Sequence, residues 1–456
     1  METERVEHLE EQIAQWRGYM RHGRAINSPD REGLERQLRD QVASLVDVGL
    51  EFDEAFLVAV KRIGEFDTSS ERFGRERADR AWKQLARVSD ATRRPGVSAR
   101  TEFLVVVGLA VAAALAIKAP GFFGFELLGD DDGFYFRNLS LFVLPFLAGY
   151  YAWKRGLDAT ALRWLAPFFI AAAVFANMYP FTTSGATEVL TAIHLPIFLW
   201  LVVGVAYVGG EWRASSRRMD FVRFSGELFI YYVLIAAGGG VLTALTVGLF
   251  DAIGLDIDRL AESWLLPCGA LGAVIIGAWL VEAKQGVVEN MAPVLTRVFT
   301  PLFAVALLAF LATLIWTRNG IDVEREALIG FDLLLVLVLG LLLYSVSARD
   351  QETPPDVFDV LQMVLVISAL VIDVIALGAI AGRISEFGFS ANKVAALGEN
   401  LILLVNLVWS AWLYFRFLRR RGSLVALERW QTGYLPVYGV WSAVVVVGFP
   451  PIFGYA

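Results

Sequence analysis

"RISEFGFSANKVAALGENLILLVNL", residues 383–407, joins two long apolar runs and is crowded with polar groups. Arg383, Glu386, Asn392, Lys393, Glu399 and Asn400 fall in one stretch that becomes hydrophobic without a break. Asn392, Glu399 and Asn406 are seven apart, two turns each, so they share one face of a helix. Lys393 and Asn400 repeat that spacing one position over. At 1.5 Å per residue the polar stripe runs about 21 Å. Polar groups are costly in hydrocarbon, so the stripe is expected to face protein or water.

The surrounding composition makes hydrocarbon the relevant solvent. Of the 456 residues, 56% are hydrophobic and 19% are charged. Residues 1–100 alone hold 18 of the 40 Lys/Arg and 19 of the 47 Asp/Glu. The other 356 residues contain eleven apolar segments, at 103–118, 139–153, 161–179, 186–208, 227–250, 263–281, 300–317, 328–347, 358–380, 398–418 and 434–453. Most approach the ~20 residues that cross about 30 Å of hydrocarbon. The second is short, which fits a tilted or re-entrant segment. The fold expected is all-α, a polytopic transmembrane helix bundle of about eleven spans behind a small helical domain.

That domain is read over residues 1–92, with a linker at 93–102 and the membrane domain at 103–456. Val6, Leu9, Ile13, Trp16 and Met20 form one apolar helical stripe. A second helix opens at Ser28-Pro29, carries Leu34, Leu38, Val42 and Leu45, and stops at Gly49. Its heptad-like stripe suits a protein partner helix. The near-balance of charge over residues 1–100 gives no case for nucleic-acid binding. Cys268 is the only cysteine, so no intramolecular disulfide and no paired-cysteine metal site can form. The N-terminus has no signal-peptide apolar core.

Lys and Arg number 15 in alternate loops on the side of the N-terminal domain and 7 on the other. The positive-inside rule then puts residues 1–100 and 209–226 in the cytoplasm and 381–397 outside, with the C-terminus outside. "FRFLRRRG", 415–422, is the strongest inner anchor, and "LLGDDDG", 127–133, fits an outer loop.

Several ionisable residues sit in the outer half of the expected spans, and such residues are functional candidates by default. They are Asp373 in "ALVIDVIAL", His194 in "TAIHLP", Glu188 one to two turns above it, and Asp332, with Asn177 at the same level. Asp373 is equally balanced between a binding role and a structural pair. His194 precedes Pro196, whose kink frees backbone carbonyls, and capping one of them is the favoured role. For Arg383 and Lys393 the favoured role is anchoring at the membrane interface. Gly238-Gly239-Gly240 permits an unwound segment near a binding site, or close packing of small residues. No Walker loop, GxSxG elbow or HExxH is present, so nothing supports a common ATPase, hydrolase or zinc protease, and no cofactor is named.

The opening stretch resembles the hallmark of an uncharacterised multi-pass membrane family, domain of unknown function 4153. The likeness rests on Arg383, Phe387-Gly388, Asn392-Lys393 and Asn406, with Lys393 standing where Arg is expected. "LRDQVASLVDVGLEFDEAFLVAVKRIGEFD", 38–67, resembles the permease prefix domain. These resemblances imply the architecture and a bacterial source, but no substrate.

The expectation is therefore a transporter or channel-like permease in the bacterial cytoplasmic membrane, for an ion or small solute. Its site would draw on Asp373, Asn406, Glu399, Asn400, Asn392, His194, Glu188, Arg383 and Lys393, with Asp373 bearing the charge and Asp373 close to Asn406. The alternative is a membrane sensor or scaffold whose outer pocket binds a ligand or partner. A membrane-embedded enzyme is the least supported.

Overall fold

The computed structural model describes residues 99–129, 132–283, 291–317, 325–349 and 355–456, with eight positions between 38 and 59. The chain divides into two compact units, 1–96 and 97–456. In the first, Leu38, Val42, Ala55 and Ala59 are helical and buried. The rest of the small helical domain, and the linker up to residue 98, lie outside the described residues.

The described part of the second unit is helical, with no strand among the described residues. Its helices are α1 (Ala99–Ala116), α2 (Asp132–Asn138), α3 (Leu144–Lys154), α4 (Ala159–Met178), α5 (Ala186–Tyr207) and α6 (Ser215–Asp251). There follow α7 (Leu266–Ala283), α8 (Met291–Thr317), α9 (Arg325–Ala348), α10 (Val357–Phe387), α11 (Ala391–Leu418) and α12 (Leu424–Ile452). Nine helical stretches among the described residues are long and apolar enough to cross a membrane. In α8 the apolar stretch described is the shorter Phe299–Ala312. The molecule is a multi-pass helical bundle.

Two expectations change. The segment at 139–153 is not one helix. A 3-10 turn at Leu139–Phe142 separates α2 from α3, which has Pro at its first turn and only 11 residues. Eleven residues rise about 16 Å, half of the hydrocarbon thickness. Pro145 explains the break, because it lacks an N–H and tolerates only the start of a helix. The glycine triplet is also different from either reading. Helix α6 runs unbroken through it for 37 residues, and a Cβ at Gly238, Gly239 or Gly240 would meet nothing within 4 Å.

Polar contacts occur at two levels and make neighbouring helices antiparallel. At one end Lys154 bridges Glu102 at 2.7 Å and Glu282 at 2.5 Å, and Arg155 holds Glu282 at 2.7 Å. Arg155 Nε also donates to the Tyr207 carbonyl at 3.0 Å, so the ends of α3, α5 and α7 meet the start of α1. At the same end Arg349 pairs with Asp359 at 2.7 Å where α9 passes to α10. At the other end Asn138 and Asn177 exchange reciprocal amide bonds of 2.8 Å, and Arg137 of α2 pairs with Glu188 of α5.

Apolar packing divides the bundle into two clusters. One surrounds α5 with Tyr150, Tyr151, Leu195, Leu199 and Phe221. The other surrounds α10 and α11 with Leu342, Leu365, Leu407 and Tyr414. Helices α6 and α12 contribute to both.

Candidate functional site

The opening stretch is a helix corner. Helix α10 ends at Gly388, whose φ of 74° and ψ of −179° are a conformation open essentially to glycine alone. Lys393 Nζ donates to the Gly388 carbonyl at 2.8 Å and lies 5.5 Å from the Phe387 ring centre, closing the turn into α11. Asn392 is exposed and Arg383 is half-buried near the same end.

Farther along α11, neighbouring residues point at different helices. Glu399 reaches α5, where its Oε1 lies 2.7 Å from His194 Nε2. Nε2 has no hydrogen-bond partner among the described residues, so the pair is a charge contact only when the ring is protonated. His194 is only 2% exposed, and its Nδ1 lies 2.8 Å from the Leu190 carbonyl. The carbonyl-capping role expected of His194 is present, but on Leu190 rather than on Ala192, the acceptor that Pro196 deprives of its donor.

Asn400 turns to α9 instead. Its Nδ2 donates to Asp332 Oδ1 and to the Ala396 carbonyl, both at 2.8 Å. Its own Oδ1 is buried without a donor. Asp332 is within electrostatic reach of Glu399 and of Asp373 on α10. Asp373 is completely buried, and neither of its carboxyl oxygens meets a hydrogen-bond donor. His194, Glu399, Asn400, Asp332 and Asp373 thus form one group, contributed by α5, α11, α9 and α10.

Other candidates lie elsewhere. Asn406 is buried, but its amide is engaged by α12. Gln431 Nε2 donates to Asn406 Oδ1 at 3.0 Å and to Ser410 Oγ at 2.6 Å, and Trp430 Nε1 donates to the Asn406 carbonyl at 3.3 Å. That network ties the Asn406 side chain to α12. Glu188 is taken by Arg137 and by the Ser184 N–H at 3.0 Å. Arg137, Gln431 and Gly398 were not read as site residues. Gly398 immediately precedes Glu399, which was the available signal.

Among the described residues no three His, Cys, Asp or Glu converge to hold a metal ion. A cavity of about 400 Å³ lies between α4, α5 and α12, lined by Trp164, Leu165, Phe198, Leu201, Trp212 and Pro436. It is apolar and sits toward the Tyr207 end of α5, not beside His194. The arrangement is that of a multi-pass helical membrane protein with a buried, acid-rich polar group in one half. No protein-family model, curated protein or solved structure matches the chain.

Proposed function

We propose that the chain is a permease of a bacterial cytoplasmic membrane, a transporter or channel for an ion or small solute. The ligand site is the half of the bundle where His194, Glu399, Asn400, Asp332 and Asp373 meet. Asp373 carries this reading. A fully buried carboxyl with no donor, beside a second carboxyl, is stabilised by taking up a proton or a small cation. A residue needed only for structure would be expected to have its donors in place.

The test is flux into liposomes holding the full-length protein. Wild type should move protons or a monovalent cation, and Asp373→Asn should reduce that flux at least about tenfold while remaining folded and monodisperse, since tenfold is about 1.4 kcal/mol of lost interaction. Equal flux in the variant sinks the reading. The excess of Lys and Arg on one side supports a cytoplasmic N-terminus and an outer Gly388. A cysteine at position 388 that reacts with a membrane-impermeant reagent only after permeabilisation would reverse that orientation. The resemblances to domain of unknown function 4153 and to the permease prefix domain support the same architecture.

A sensor or scaffold is the second reading, and helix α6 favours it. No residue of its most apolar window is fully buried by the described residues, which leaves a long face for a partner helix. Wild-type liposomes without flux for any small ion or solute, together with a specific crosslink from α6 to another membrane protein, would favour it over the permease.

A further inference from the structure

His194 is the only histidine of the membrane unit, and its surroundings constrain its protons. The Leu190 carbonyl can only accept, so Nδ1 carries a hydrogen. In a neutral ring Nε2 is then a bare lone pair. At 2.7 Å from Glu399 Oε1 it would oppose the lone pairs of a carboxylate. The contact is attractive only if a proton lies on Nε2, giving imidazolium and carboxylate, because no hydrogen bond is aligned for Oε1 to donate to the ring.

We propose that His194 and Glu399 bind one proton between them, and that this proton holds α5 against α11. This deepens the permease reading, on which its consequence for transport rests: the site's ligand is the proton. When the proton leaves along the partly exposed flank of Glu399, a neutral imidazole faces a carboxylate anion and the two helices lose their polar contact. That contact joins the apolar cluster around α5 to the one around α10 and α11. Toward the Gly388 end, Leu190 packs with Ala391, Ala395, Val445 and Phe449, and α12 touches both clusters. The proton is therefore placed to control the local approach of α5 to α11 at His194.

Among the described residues few charged groups face His194. From α11 the facing group is Glu399; behind it stand Asp332 of α9 and, beyond that, Asp373 of α10. Glu188, on the same helix as His194, is engaged by Arg137 of α2. Helix α12 brings no Asp, Glu, Lys, Arg or His between residues 430 and 452, and neither does α4 between 168 and 178. The α5–α11 polar contact needs that one proton and is lost when it is released.

The experiment uses full-length protein in lipid nanodiscs on a Cys268→Ser background. Spin labels at Val189 of α5 and Leu401 of α11, both on exposed faces, report the distance between the helices. Nitrogen-15 histidine spectra report the ring; the chain has 3 histidines, and His194→Gln assigns the signal of this one. Wild type should keep Nδ1 protonated throughout, lose the Nε2 proton as pH rises, and lengthen the label distance over the same interval. Glu399→Gln, a shape-conserving change on the partly exposed partner, should leave the distance independent of pH. A wild-type distance that ignores pH, an unchanged pH response in Glu399→Gln, or a bare Nδ1 would overturn the proposal. Proton flux with a pH-independent distance would remove the shared proton and leave the permease standing. A pH-dependent distance without any flux would do the reverse.

Discussion

Trp441 of α12 lies flush against Gly398 of α11, so closely that a Cβ at Gly398 would fall 2.1 Å from the indole ring. The missing side chain lets α12 press on α11 at the residue before Glu399. It thereby sets the rotation that sends Glu399 to α5 and Asn400 to α9.

Gly398→Ala should therefore disturb the site through packing alone. Overpacking of this kind costs about 1–3 kcal/mol. The expected result is a lower thermal midpoint together with loss of the His194–Glu399 contact, read by the histidine signal. Gly398→Ala with Trp441→Phe should recover part of the stability, because the smaller ring makes room. A single variant as stable as wild type would show that α12 can shift freely at this point.

Arg137 and Glu188 make a second test. Arg137 also stacks over Phe134 and Phe181, each 5.5 Å from its guanidinium carbon, which fixes it over the start of α5. Arg137→Ala leaves Glu188 buried against the Gly133 backbone with its partner gone. Breaking a buried pair from one side costs about 3–5 kcal/mol, whereas Glu188→Gln should be milder. Comparing unfolding of the two variants in detergent checks that order, and a milder Arg137→Ala would contradict it.

Asn406 separates a knot from a ligand wall. In the knot, Asn406→Ala strands the Gln431 amide and Ser410 at about 1–3 kcal/mol. Removing both partners, as Asn406→Ala with Gln431→Leu, should cost less than the sum of the two single changes. If Asn406 instead met a transported ligand, Asn406→Ala would reduce flux with little change in stability. Thermal unfolding and liposome flux on the same samples decide between them.

Composition and periodicity alone determined that this chain is a helical membrane bundle and where nine of its long apolar helices run. They did so because a span must satisfy its backbone internally and present about twenty apolar residues to lipid. The polar residue types of the site were also legible, since polar groups in hydrocarbon have few uses. Their pairing was not. Glu399 and Asn400 are adjacent in sequence but about 100° apart around α11, so they meet different helices. Asn406, two turns beyond Glu399, is only about 20° off that face but about 10 Å farther along α11, where it meets α12. Seven-residue spacing therefore overstated a common wall, and only the crossing of α11 with α5, α9 and α12 decided which partner each side chain found. The uncovered face of α6 was likewise settled by tertiary contacts, because apolarity does not reveal whether protein or lipid covers a helix.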